Sequence, residues 1–177
     1  MIKFRHPNIL AFFGTCIAPP ENVSLVPLVL GFCSDGALRD ILDDAGLTLP
    51  EATIYHFALD IAKGMEFIHA QDVLHRDMKA ANVLIGDGCV AKVADFGVSR
   101  TLSEKQSATM TVVGSPAFMA PEALESGDGG PEHVKYGRPA DVFGYAMTLW
   151  EMAARAVPYQ GMHPMKVLFG VVRDRMR

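Results

Sequence analysis

The sequence predicts an α+β fold in which a short β-rich start leads into a mostly helical body. Three observations carry that expectation. Apolar residues keep helical spacing from Pro50 to about Ala70, short β-like pieces punctuated by Gly and Asp follow, and residues 139–154 are apolar on nearly every side. With 177 residues, the chain has room for one domain with a substantial core.

In chain order, residues 9–13 and 23–32 are apolar runs separated by the turn-forming APPEN, the pattern of a hairpin. Ser34-Asp35-Gly36 opens a short amphipathic stretch, ALRDILDD, that ends before Gly46. Pro50 and Glu51 suit a first helical turn, and Ile54, Phe57, Ala58, Ile61, Ala62, Met65 and Ile68 share one helical face. β-like pieces follow at 73–75, 82–85 and 89–94, the last two joined by Gly86-Asp87-Gly88. Residues 98–118, rich in Ser and Thr with little periodicity, read as a long loop, and 126–138 as a second one. Such loops in a compact domain carry function or disorder. The segment 139–154 is expected to be a helix buried in the domain centre.

Half of the residues are hydrophobic and the formal net charge is −4, which leaves no general footprint for nucleic acid or an anionic membrane. Cys16, Cys33 and Cys89 are odd in number and scattered, so neither a disulfide framework nor a zinc spacing is expected, and a reducing, cytoplasmic setting fits. Lys3 and Arg5 before ILAFFGTCIA resemble the start of a secretory signal, but His6-Pro7-Asn8 interrupts the junction and no A-x-A site follows. No run reaches about 18 apolar residues, so no membrane span is expected.

The stretch HRDMKAANVL at 75–84 gathers two cations, a carboxylate and an amide directly before an apolar strand. A purely structural buried segment avoids so many polar groups, because each needs a partner, so the stretch is a surface loop or a site. Asp95-Phe96-Gly97 follows, and then Ala120-Pro121-Glu122. One such tripeptide alone carries little information, whereas three in this order, each in the expected strand-and-loop context, are specific.

With these motifs the chain resembles the eukaryotic protein kinase family over essentially its whole length. RHPNIL resembles the junction into the fourth strand of the small lobe, and PADVFGYAMTLWEM the buried central helix of the large lobe. The resemblance implies a partial kinase domain, with 1–32 the remnant of the small lobe and hinge and 33–177 an incomplete large lobe. It implies Asp77 as the residue that orients the substrate hydroxyl and accepts its proton, and Lys79 as a contact to the transferring phosphate. Asn82 and Asp95 would be the hard oxygen ligands of Mg²⁺ held jointly with ATP phosphates. His75 invites a general-base role, but the family packs and hydrogen-bonds this histidine in support of the loop.

By the same resemblance Leu30 is the gatekeeper, the backbone of Gly31 and Cys33 bonds the purine, and Leu84 forms the floor beneath it. Gly31 departs from the family's frequent Glu, which matters little where only backbone binds. A reactive thiol at Cys33 is the weaker idea, since nothing cationic adjoins it in sequence. Arg76 and Arg100 would form a basic pocket for a phosphorylated loop, with Thr111 the phosphorylated hydroxyl and Ser107 or Thr109 the alternatives. Lys79 together with Ser115, where Thr is usual, resembles the serine/threonine-specific pattern, Ser115 bonding Asp77 and Lys79. MAPE and TLWEM resemble the tyrosine-kinase-like branch.

The family's Gly-rich loop, strand lysine and partner glutamate are not in the chain, which is therefore expected to be part of a larger protein and to transfer little phosphate alone. Glu122, without its usual arginine, is expected to be a buried unpaired carboxylate, and the hairpin to present an exposed edge. Two functions compete: a serine/threonine protein kinase acting on protein hydroxyls with ATP and Mg²⁺, and a kinase-like binding or regulatory module without catalysis. Intact Asp77, Lys79, Asn82 and Asp95 favour the first for the parent protein, and the absent lysine favours the second for this chain alone.

Overall fold

Helix-forming and strand-forming stretches alternate along the chain, and the computed structural model describes residues 4–15, 27–95, 100–101, 115–124, 136–173 and 176. Strands β1 (Phe12–Thr15) and β2 (Leu28–Leu30) pair antiparallel with an irregular register between Phe12 and Gly14. Helix α1 (Leu38–Asp43) and the long α2 (Glu51–Ala70) follow, with Pro50 as the N-cap of α2 and not a member of its first turn. Strand β3 (Val73–Leu74) leads into the polar loop, a 3₁₀ turn at Ala80–Asn82, and the antiparallel pair β4 (Val83–Gly86) and β5 (Val90–Val93). Strand β6 (Arg100–Thr101) returns to pair with β3. A second 3₁₀ turn (Pro116–Phe118), α3 (Pro121–Leu124), α4 (Arg138–Ala154) and α5 (Pro164–Val172) complete the order. Helix α5, whose His163 ring accepts from the Met165 N–H, has no counterpart among the elements expected from the sequence.

The core forms where α2 lays the apolar face read from its spacing against β5. Phe57, Ile61, Met65 and Ile68 pack with Val83, Ile85, Ala91 and Val93, joined by Leu38 and Leu42 of α1, Met152 of α4 and Ile9. Gly64 makes the approach possible, since a Cβ there would lie 2.5 Å from the Asn8 carbonyl oxygen. Residues 8–10 belong to this packing, because Val93 donates to the Asn8 carbonyl and Leu10 donates to the Val93 carbonyl. Only the later part of the first apolar run enters the hairpin, while APPEN and the start of the second run lie outside the described residues. Among the described residues the hairpin has no such cover: Phe13, Leu28, Val29 and Leu30 are exposed, and Phe32 just beyond it is 90% exposed.

Helix α4 departs from the expectation of burial all round. Its buried face carries Asp141, Gly144, Thr148 and Glu151 beside Ala140 and Met152, while Val142 and Trp150 face outward. Hydropathy alone did not separate the two faces of this helix, because a buried polar residue with a dedicated partner looks no different in sequence from a surface one. Glu122 is also a correction: it is exposed, so no buried unpaired carboxylate arises there.

Candidate active site

The polar loop after β3 is held from below by α4. Asp141, fully buried in the first turn of that helix, accepts from the backbone N–H of His75 (2.9 Å) and of Arg76 (2.8 Å), from His69 Nε2 (2.8 Å) and from the Tyr136 hydroxyl (2.9 Å). Burial alone would raise its pKa, but these donors outweigh it and hold the carboxyl below its usual range. Arg76 sits at φ 73°, a left-handed conformation costly for a non-glycine residue, and its two-residue tether to Asp141 keeps it there. The Arg76 guanidinium lies 5.5 Å from the centroid of the Tyr136 ring, within cation–π range.

His75 is a structural residue. It is fully buried, its Nδ1 accepts from the Asp77 N–H (3.3 Å), and its Nε2 therefore carries the proton and donates to the Ala94 carbonyl (2.9 Å). Burial pushes its pKa down and keeps the ring neutral. One ring thus joins the start of the loop to the end of β5.

Asp77 is the point of convergence. Its Oδ2 accepts from Lys79 Nζ (2.7 Å) and Asn82 Nδ2 (3.0 Å), and its Oδ1 from the Ser115 N–H (3.2 Å). Asn82 Nδ2 also donates to the Asp77 carbonyl (2.6 Å), closing the loop on itself. Lys79 donates in addition to Ser115 Oγ (3.1 Å), so the residue expected to meet both side chains reaches Lys79 with its hydroxyl and Asp77 with its backbone. With its nitrogen committed to Asp77, the Asn82 amide has its oxygen as the end that suits a cation. Ala94 donates its N–H to the Asn82 carbonyl (2.8 Å), which brings the next residue, Asp95 at φ 58°, to the same place. Two hard oxygens fit Mg²⁺ shared with phosphates, and among the described residues no cluster of three or more His, Cys, Asp or Glu forms an all-protein cage.

At the other edge, the Gly31 N–H is bonded to the Ala11 carbonyl (2.7 Å) and the Cys33 carbonyl accepts from Gly36 (3.5 Å). The other backbone groups of those two residues, the Gly31 carbonyl and the Cys33 N–H, are an acceptor and a donor, the pair an adenine edge requires. Leu84 bridges to Ala37 beneath this segment and is partly buried, while Leu30 above it is exposed. Burial pushes the Cys33 thiol up despite nearby Lys92, against a reactive thiolate. Arg100 pairs through its backbone with Leu74, two residues before Arg76. Thr111, Ser107 and Thr109 lie outside the described residues, as do Phe96 and Gly97.

Several residues of the arrangement were missed from the sequence. Glu151, 2% exposed, accepts from the Ala80 N–H (2.9 Å) and from Arg39 Nη1 (2.8 Å). Arg155 caps the end of α1 by donating to the carbonyls of Ile41, Leu42, Asp44 and Leu47. Arg138 joins the His69 carbonyl (2.8 Å) and Asp72 (2.7 Å). The signal that could have found Asp141 and Glu151 is their presence in a helix read as buried, where a charge must be paired.

A family model described as protein tyrosine and serine/threonine kinase matches residues 1–177. The chain belongs to the protein kinase family. It is 37% identical over its whole length to a probable serine/threonine-protein kinase of Dictyostelium discoideum, drkA, covering 26% of that protein. It is 38% identical over its whole length to the serine/threonine-protein kinase STY46 of Arabidopsis thaliana, covering 29% of it. It is 35% identical over 99% of its length to the Arabidopsis serine/threonine/tyrosine-protein kinase HT1, covering 42% of it. The chain therefore spans between about a quarter and two-fifths of the length of these curated relatives. The α+β architecture, with its small antiparallel sheets and helical body, is that of a kinase-domain segment.

Proposed function

We propose that the chain is the hinge and large-lobe part of a cytoplasmic serine/threonine protein kinase of the tyrosine-kinase-like branch, with 1–32 from the small lobe and 33–177 from the large lobe. It takes part in transfer of the γ-phosphate of ATP to a protein hydroxyl. One observation carries the reading: the Asp77 carboxylate gathers Lys79, Asn82 and Ser115 within 3.2 Å, on a loop fixed to the buried face of α4. Phosphoryl transfer needs an aimed hydroxyl and neutralised phosphate charge rather than extensive covalent work by the protein. Asp77 accepts the hydrogen bond, and then the proton, of the attacking hydroxyl. Lys79, two residues on, reaches the transferring phosphate from the same side. Asn82 Oδ1 and the Asp95 carboxylate would hold Mg²⁺, which when bound neutralises charge on the phosphates. The Gly31 carbonyl and Cys33 N–H hold the purine edge above Leu84. Arg76 and Arg100 are the cations to which a phosphate on Thr111 would pair, ordering the loop that carries Ser115. The free thiols of Cys33 and Cys89 suit a reducing compartment.

The test is made in the full-length protein with Mg²⁺-ATP and a generic protein substrate. Asp77→Asn is expected to lower kcat by about 10²–10⁴, the usual contribution of a positioned general base, with ATP binding nearly unchanged. Asp95→Asn is expected to weaken Mg²⁺-ATP binding instead. Near-normal turnover in Asp77→Asn overturns the assignment.

A further inference from the structure

We propose that Arg39 and Glu151 form a positioning pair for the catalytic loop, making α1, the helix that leaves the hinge, a support of Lys79 and Asn82. The inference rests on the reading of residues 77–82 as a phosphoryl-transfer loop.

Arg39 divides its guanidinium between two carboxylates. Its Nε and Nη2 engage Asp43 one turn on (3.1 and 2.7 Å), and its Nη1 reaches Glu151 Oε1 at 2.8 Å. The other oxygen of Glu151 takes the Ala80 N–H at 2.9 Å. Ala80 is itself fully buried, and it opens the 3₁₀ turn whose preceding residue is Lys79 and whose last residue is Asn82. The Asn82 N–H closes that turn on the Lys79 carbonyl at 3.0 Å. A single carboxylate thus fixes the turn that separates the phosphate contact from the metal ligand, and that carboxylate is held by a cation on a different helix.

The pair is desolvated, with side chains 12% and 2% exposed. Removing the cation alone would leave Glu151 buried, charged and free to abandon Ala80 for water, whereas removing both charges would not. Lysine cannot substitute, because it lacks the planar fork that serves two carboxylates at once. Arg155, donating to the carbonyls at the end of α1, holds the same helix against the same end of α4, so α1 has little freedom to follow a shifted Arg39.

Amide exchange at Ala80, read in the full-length protein, needs no phosphoryl transfer. It judges the pair even where the kinase reading fails. Arg39→Met is expected to speed Ala80 exchange by about tenfold or more relative to Val93, whose N–H bonds the Asn8 carbonyl outside this network. Glu151→Gln keeps an acceptor oxygen and should change Ala80 less. The double variant Arg39→Met/Glu151→Gln should exchange more slowly at Ala80 than Arg39→Met alone, since no uncompensated charge remains. In the full-length kinase, Arg39→Met should lower kcat by about tenfold or more while KM for ATP moves less than about threefold, with partial recovery in the double variant. Should Arg39→Met fail to fold, Arg39→Gln, also neutral, carries the same comparison. Equal acceleration at Ala80 and Val93, or a double variant as fast as the single one, overturns the proposal.

Discussion

Asp141 and Glu151 sit towards opposite ends of α4, both almost without solvent exposure, and the polar loop after β3 donates two backbone N–H groups to the first and one to the second. Asp141 is balanced by two amides, an imidazole and a phenol, with no guanidinium or ammonium among those donors. Glu151 is balanced by Arg39. The helix explains the difference. Near an N-terminus the aligned peptide dipoles favour a negative charge, so Asp141 is held without a guanidinium or ammonium among its donors. One turn from the C-terminus the same dipoles oppose it, and a full cation is brought from α1. The contrast teaches that the dipole of the supporting helix decides which anchor of the loop calls for a permanent cation and which does not.

The largest effect expected from breaking this comparison is at Asp141. Asp141→Asn presents an amide nitrogen to donors and orphans at least two of them, for a loss of about 2–6 kcal/mol at roughly 1–3 per buried group. Glu151→Gln, which retains an acceptor, should cost well under half as much in the same urea titration. A reversed order would mean that the dipole argument misassigns the two ends.

Acid is the next lever, and its sign follows from the two shifts. His75 has its pKa lowered by burial, so the unfolded chain binds a proton that the folded one refuses, and stability should fall once pH drops below about 6.5. Asp141 has its pKa lowered by its donors, so its contribution is in place above about 4 and is lost as pH falls through the depressed value. Urea midpoints at successive pH values should therefore decline in two stages. Unchanged midpoints between neutrality and pH about 5.5 would contradict a buried neutral His75.

The smallest effect is at the exposed Arg138–Asp72 pair, half or more of each side chain being in solvent. Asp72→Asn keeps a residue tolerant of its φ of 56°, and should cost under about 1 kcal/mol, shrinking with added salt. A larger cost would place Asp72 within the network that Asp141 commands.

What was legible in sequence was local. The spacing from Ile54 to Ile68 placed α2, the Gly-rich turn placed β4 and β5, and HRDMKAAN placed Asp77, Lys79 and Asn82 in one loop. The supports were not legible, because they join residues far apart in the chain: 66 positions separate His75 from Asp141, and 112 separate Arg39 from Glu151. Counting apolar residues along α4 found a helix but not its inward face, since that face is defined by the polar partners it meets. Burial of Asp141 and exposure of Trp150 are two sides of that one omission.

The most direct measurement of the central claim, that each carboxylate holds its own half of the loop, is residue-resolved amide exchange in Asp141→Asn and Glu151→Met. Asp141→Asn should accelerate exchange at His75 and Arg76 at least about tenfold more than at Ala80, and Glu151→Met should do the reverse. Acceleration of all three amides together in both variants would contradict the claim, for it would show the loop rising and falling as a single unit whichever end of α4 is cut.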